Sequence, residues 1–402
     1  MRLQRTLLSV LLVLSFIVAS AGCSGKDEPA QETSAIVEEQ TAEAPEMPIP
    51  EPPQIDARSF ILIDHGSGRV LAELDSDSRQ EPASLTKLMT AYAVFAALDE
   101  GRIKLDDMVT VSEKAWKQQG SRMFIEVNKQ VSVENLILGM IVQSGNDATV
   151  ALAEHIAGSE EAFVQMMNSY AEKLGMTGTH FVNSPGMPDP EHYMTARDAA
   201  MLANAMIREF PEYYRWYAQK EFTWNGITQQ NRNGLLWRDA TVDGIKTGHT
   251  ESAGYCLVTS AEREGMRLVS VVMGTDSMKA RENASAALLN YGFNFYETRE
   301  LYAANEPLTT ARVWKGQQKE VGLVLKDELR VTFPRGKAGS VTADFELPEH
   351  LVAPLSVDTP LGTARIVIDG VTVATHELYP AQNVPAGGFF RRMIDSVGMK
   401  FD

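Results

Sequence analysis

Cysteine is nearly absent from the 402-residue chain. Its only two, Cys23 and Cys256, cannot build a disulfide framework. Positive charge is also scarce: 37 Lys and Arg stand against 53 Asp and Glu, giving a formal net charge of −16. No basic stripe emerges, which argues against a nucleic-acid partner. The seven histidines show no paired ligand spacing, so no metal is expected. No glycine-rich phosphate loop is present, and no cofactor is expected. The apolar run Leu7 to Val18 is shorter than a bilayer-spanning helix needs. What remains is globular in composition, 44% hydrophobic and 22% charged, with room for two or three domains.

The N-terminus has the layout of an export signal: Arg2 and Arg5, the apolar run, then small residues up to Cys23. Two processing routes stay open. Ala19-Ser20-Ala21 fits ordinary cleavage, while Ser20-Ala21-Gly22-Cys23 resembles a lipobox in which Cys23 would be lipidated. Ser20 stands where that motif usually has Leu. The alternative for Cys23 is a free thiol in a flexible tail. Residues 24–55 carry eight acidic residues, six prolines and only Lys26 as a base, too little apolar surface to offset ordering entropy. They are expected to form a disordered acidic tether holding a domain away from a membrane surface.

Order is expected from Asp56. Phe60–Asp64 and Arg69–Ala72 read as strands, followed by helical spacing over Leu85–Leu98, Val133–Met140, Asp147–Ile156, Ala162–Leu174 and Ala196–Phe210. Strands return at Tyr255–Ser260 and Met266–Met273, joined by a turn at Glu262–Gly265, and Ala280–Phe295 reads as a closing helix. This order predicts an α+β domain over 56–298, an antiparallel sheet flanked by helices with a helical subdomain inserted. Residues 299–385 read as a small all-β domain, with Asp369-Gly370 as a hairpin turn. In 386–402, Phe389, Met393, Val397 and Phe401 recur every fourth residue beside Arg391, Arg392 and Lys400. The pattern fits an amphipathic membrane-anchor helix, or a terminal helix docked on its own protein.

Three motifs carry chemistry: Ser84-Leu85-Thr86-Lys87, Ser144-Gly145-Asn146 and Lys246-Thr247-Gly248. Sets of this type mark serine acyl-transfer sites. At a helix start, Ser84 and Lys87 share a face, and a lysine of lowered pKa can take the serine proton. Burial, the helix N-terminus and a second cation, Lys246, all push that pKa down. Ser144 and Asn146 flank a tight bend and can face one cleft, a hydroxyl to relay a proton and an amide to bind a peptide group. On a strand, Gly248 would leave room beside Lys246 for a substrate backbone. Lys246 and Thr247 can hold a carboxylate. Arg281 is a further candidate for it, an ordinary surface arginine being the alternative. Cys256 lies in a buried-looking strand and is expected to be inert.

The chain resembles the low-molecular-mass penicillin-binding proteins, serine-type D-alanyl-D-alanine carboxypeptidases of peptidase family S11. The resemblance rests on Pro82–Thr90, Gln143–Ala148, Asn231–Trp237 and Asp243–Thr250, and spans nearly everything from Asp56 onward. It implies a penicillin-binding/β-lactamase-like transpeptidase fold and an exported enzyme at the periplasmic side of a bacterial membrane. Ser84 would attack the bond between two terminal D-alanines of a peptidoglycan stem peptide, Lys87 would take its proton, and Ser144 with Lys246 would protonate the departing D-alanine. Backbone N–H groups of Ser84 and His249 would hold the oxyanion, Asn146 would bind the substrate, and Thr247 and Arg281 would grip its terminal carboxylate. β-Lactams would acylate Ser84. The terminal helix would meet the membrane; Cys23 with its tether departs from the family pattern, and would add a second membrane contact where lipidated. One departure is Lys117–Arg122, which looks shorter than in the best-known members and borders the site. Two other readings remain: a serine β-lactamase, although no E-x-x-L-N glutamate lies between Ser144 and Lys246, or a non-catalytic wall-binding or penicillin-sensing module.

Overall fold

The computed structural model describes residues 49–337 and 341–399. The expected signal segment, Cys23 and most of the acidic tether lie outside the described residues.

A strand buried on both faces starts the sheet. In Ser59–Asp64 every residue is buried, and the two-residue period sends Phe60 and Leu62 into one core and Ile61 and Ile63 into another. This strand lies between Val70–Leu74 and Met266–Thr275. Gly254–Arg263 and Val242–Thr250 then complete a five-stranded antiparallel sheet. The helix Met278–Phe295 covers one face, its Leu288 and Leu289 joining Leu62 and Leu268. The helices Lys87–Asp99 and Ala196–Glu209 pack on the other. Lys87–Asp99 is buried along nearly its whole length, so it is apolar all round rather than amphipathic. The helical block between the two halves of the sheet supplies Val133–Val142, Asn146–Ala157 and Glu160–Lys173.

Two expectations are corrected. The helix carrying Ser84 and Lys87 begins as a 3-10 turn, Ala83–Thr86, before continuing as α-helix from Lys87. Chain order also starts earlier than Asp56: Ile49 and Ile55 pack against the core beneath the Met278–Phe295 helix, and the Tyr291 hydroxyl donates to the Pro50 carbonyl at 3.2 Å. The prolines extend the backbone, which lets two isolated isoleucines reach one apolar surface.

The second domain opens with Tyr296–Tyr302, paired antiparallel to Leu329–Pro334. A six-stranded sheet follows, in the order Val341–Glu346, Gly362–Ile368, Val371–Pro380, Glu320–Val324, Pro307–Trp314, Leu351–Val352. Leu323, Phe333, Ala364, Ile366 and Leu378 form its core. The buried Asp64 carboxylate joins the two domains. It accepts from Ser67 N at 2.7 Å, Ser67 Oγ at 2.9 Å and Thr298 Oγ1 at 2.7 Å, while Arg69 donates to the Thr332 carbonyl at 2.7 Å.

The last described element is the helix Phe389–Gly398, in which no residue is buried. Its polar side meets the β domain: the Asp395 carboxylate accepts from Lys315 N at 2.6 Å and faces Arg391. Phe389, Phe390, Met393, Ile394 and Val397 are each more than half exposed. Among the described residues no helix is long and apolar enough to cross a membrane.

Candidate active site

Three separate stretches converge on one cleft of about 550 Å³. Ser84 enters it from the 3-10 turn, where residues three apart eclipse one another. Lys87 Nζ consequently lies 3.0 Å from Ser84 Oγ. Two other acceptors meet the same amine: Asn146 Oδ1 at 2.7 Å and the Pro185 carbonyl at 2.6 Å. A neutral amine has two N–H bonds and one lone pair. Given to Asn146 and Pro185, those two hydrogens leave the lone pair facing the Ser84 hydroxyl.

Lys87 is 1% exposed, and burial brings its pKa down to about 7, with the nearby positive charge of Arg232 adding to the effect. Lys246 is equally enclosed, 3% exposed on the strand Val242–Thr250. Its Nζ donates to Ser144 Oγ at 2.8 Å and to the Thr247 carbonyl at 2.8 Å. Burial holds its pKa well below the usual lysine range, followed by the charges of Lys87, Arg232 and Arg281.

The backbone at both hydroxyls is unusual. Ala83, just before Ser84, has φ 47°, and Ser144 has φ 64°. Side chains other than glycine rarely occupy that region, and it costs about 1–3 kcal/mol wherever packing enforces it. At Ala83 the enforcing neighbour is Gly186. A Cβ there would come 1.9 Å from the Ala83 carbonyl oxygen, so only glycine lets the Pro185 segment lie against the serine turn. Asn146 and Asp147 fix the opposite wall. Asn146 N donates to the Ser121 carbonyl at 2.7 Å, and Asn146 Nδ2 to the Gln119 carbonyl at 2.6 Å. The buried Asp147 carboxylate accepts from the backbone N–H groups of Met123, Phe124 and Ile125 at 2.9–3.2 Å.

Ser84, Ser144, Asn146, Thr247, Gly248, His249 and Arg281 all line the cleft, and Lys87 and Lys246 hydrogen-bond to residues that do. The expectation for Gly248 is corrected in its reason. A Cβ on it would sit 2.8 Å from the Pro82 carbonyl oxygen and 3.3 Å from Leu85, so its missing side chain admits the serine turn, not a substrate backbone. Arg281 is not an ordinary surface arginine. It is 2% exposed and donates to the Gly248 carbonyl at 3.1 Å, and burial lowers its pKa. Much of its donor capacity is thus spent on the strand. His249 stacks on Tyr255, ring centroids 3.9 Å apart. Cys256 is fully buried, and burial pushes its thiol up to about 11, which makes it a poor nucleophile.

Sequence reasoning missed Pro185, Gly186 and Arg232. Arg232 was visible only as part of the Asn231–Trp237 string, while Pro185 lies 98 residues from the lysine it meets. Among the described residues no group of His, Cys, Asp or Glu is placed to hold a metal ion.

Residues 46–277 match the family model described as D-alanyl-D-alanine carboxypeptidase, peptidase S11. Residues 296–386 match the C-terminal domain of penicillin-binding protein 5. The D-alanyl-D-alanine carboxypeptidase DacC of Escherichia coli is 45% identical over 376 residues, covering 92% of each chain. Penicillin-binding protein 5 of Haemophilus influenzae superposes with a TM-score of 0.81 at 45% identity, over 83% of this chain and 99% of that one. Penicillin-binding protein D2 of Listeria monocytogenes, solved in an ampicillin-bound form, gives 0.56 at 29% identity over 60% of this chain and 98% of that one. With its geometry, its family model and these relatives in agreement, the chain belongs to the D-alanyl-D-alanine carboxypeptidase family of serine peptidases, S11.

Proposed function

We propose that Ser84 is the nucleophile and Lys87 the general base of a D-alanyl-D-alanine carboxypeptidase that trims peptidoglycan stem peptides and is acylated by β-lactams. The observation that carries this reading is the Lys87 amine, 3.0 Å from Ser84 with a pKa of about 7. As Ser84 Oγ bonds to the carbonyl carbon of the penultimate D-alanine, its proton passes to Lys87. The carbonyl oxygen gains negative charge, which backbone N–H groups of Ser84 and His249 would stabilise. Collapse breaks the C–N bond, and the D-alanine amine takes a proton through Ser144, bonded at 2.8 Å to Lys246. Water then cleaves the Ser84 ester, releasing the shortened peptide and restoring the hydroxyl. Asn146 binds the substrate amide. Thr247, together with Arg281 and Arg232, holds the terminal carboxylate that defines a carboxypeptidase. The motif serines and lysines are in bonding contact, which supports an enzyme over a sensing module. Among the described residues no Asp or Glu lines the cleft to activate water against a β-lactam adduct, which supports a carboxypeptidase over a β-lactamase.

The same proposal covers location and domain limits. Residues 1–22 are an export signal, 23–48 a tether beginning at Cys23, lipidated or free, 49–298 the catalytic domain with its packed leading segment, 299–385 the β domain, and 386–402 an in-plane anchor on the periplasmic side of the membrane. Five large apolar side chains exposed on one short helix, with its polar side turned to the β domain, support the anchor. The test is release of free D-alanine from diacetyl-Lys-D-Ala-D-Ala. The wild type should release it and Ser84→Ala should not. Equal release by both would refute the assignment.

A further inference from the structure

The cleft is cationic in an acidic protein. Arg122, Arg232 and Arg281 line it, and among the described residues no Asp or Glu does, although the chain carries 53 acidic residues. A peptide with one terminal carboxylate does not need three arginines. Arg281 and Arg232 occupy one side of the cleft: Arg281 donates to the carbonyls of both Gly248 and Arg232, which ties both to the Lys246–Gly248 strand and its carboxylate-binding Thr247. Arg122 belongs to the opposite wall. The preceding residue, Ser121, accepts the Asn146 N–H at 2.7 Å, and Asn146 is the residue proposed above to bind the substrate amide.

Arg122 is held in place by a cation–π contact. Its guanidinium lies 5.2 Å from the centroid of Phe124, and Phe124 N is tied to the Asp147 carboxylate at 2.9 Å. Its own carbonyl accepts from Gln229 Nε2 at 3.1 Å. Among the described residues no carboxylate pairs with this guanidinium. A stacked arginine keeps its edge donors free, and that fork suits a carboxylate.

We propose that Arg122 is a specificity-determining residue that binds a second substrate carboxylate, one located N-terminal to the scissile D-Ala-D-Ala bond. The enzyme would then favour stem peptides bearing a free acidic group upstream over neutral ones. The inference rests on the carboxypeptidase reading of the same cleft.

Two peptides test it: diacetyl-Lys-D-Ala-D-Ala, which has no upstream carboxylate, and γ-Glu-Lys-D-Ala-D-Ala with a free α-carboxylate on the glutamyl residue. In Arg122→Ala, kcat/KM for the glutamyl peptide should fall by about tenfold, the scale of one charge-assisted hydrogen-bonded pair, through KM. The diacetyl peptide should change by less than about twofold. Arg122→Lys should recover part of the loss, because it restores charge without the fork. Equal losses for both peptides, or no loss for either, would overturn the proposal while leaving the serine mechanism standing. A wild type that cleaves neither peptide would remove both readings together.

Discussion

Lys87 Nζ reaches Ser84 Oγ at 3.0 Å from within a shell that leaves it 1% exposed. Its three hydrogen-bond partners come from the serine turn, the Ser144-Gly145-Asn146 bend and the Pro185 segment. The amine is therefore positioned by three distant parts of the chain, and burial is the main cause of its lowered pKa of about 7.

The pH profile follows from that value. A lysine with a depressed pKa is neutral above it and charged below it, so acylation should rise with pH through about 7 and level off above. Two pH units below the midpoint, roughly one amine in a hundred is neutral, so the acylation rate at pH 5 should be about a hundredfold below the plateau. Stopped-flow acylation by a chromogenic cephalosporin across pH 5–9 measures it. A flat profile through neutrality would exclude Lys87 as the base.

Arg232 should move that profile. Its charge lowers the pKa of Lys87, so Arg232→Gln should shift the acid limb to higher pH. It should also raise KM for a D-Ala-D-Ala peptide by about tenfold, through loss of a carboxylate contact. A variant that changes KM but leaves the limb in place would confine Arg232 to binding.

Gly186 is the position where a single methyl group should do most damage. A Cβ would overlap the Ala83 carbonyl oxygen, and the backbone has φ 86°. Gly186→Ala should cost about 2–4 kcal/mol of stability and displace the serine turn, lowering acylation by tenfold or more. Urea unfolding and acylation kinetics on the same preparation check both. Wild-type values for each would contradict the packing account.

Much of this arrangement was legible in the sequence, where the signal was local. The i, i+3 spacing placed Lys87 beside Ser84, the two-residue period identified the buried strands, and Asp369-Gly370 marked a hairpin between Gly362–Ile368 and Val371–Pro380. Contacts set by tertiary packing were not legible. The Pro185 carbonyl on Lys87 and the fit of Gly186 against Ala83 join segments about a hundred residues apart, and nothing in Ser184-Pro185-Gly186 announces them. Gly248 was read as room for substrate because sequence gives the face of a strand but not what lies against it. Ile49 and Ile55 were lost within a proline-rich composition whose average favoured disorder.

The terminal helix should bind lipid surfaces through its exposed side chains. Phe389→Ser with Phe390→Ser should reduce co-sedimentation with anionic phosphatidylglycerol vesicles by at least tenfold, given about 1.5–3 kcal/mol for burying each phenylalanine. Release of D-alanine from soluble peptide should not change. Vesicle binding equal to the wild type would show that the helix serves only its own β domain.

The most direct measurement is peptide-mapping mass spectrometry after exposure to benzylpenicillin. A single adduct of the drug's full mass, with no leaving group lost, should map to the peptide containing Ser84, and it should be absent in Ser84→Ala. An adduct that persists in that variant, or maps to a peptide carrying Ser144 instead, would contradict the assignment of Ser84 as the nucleophile.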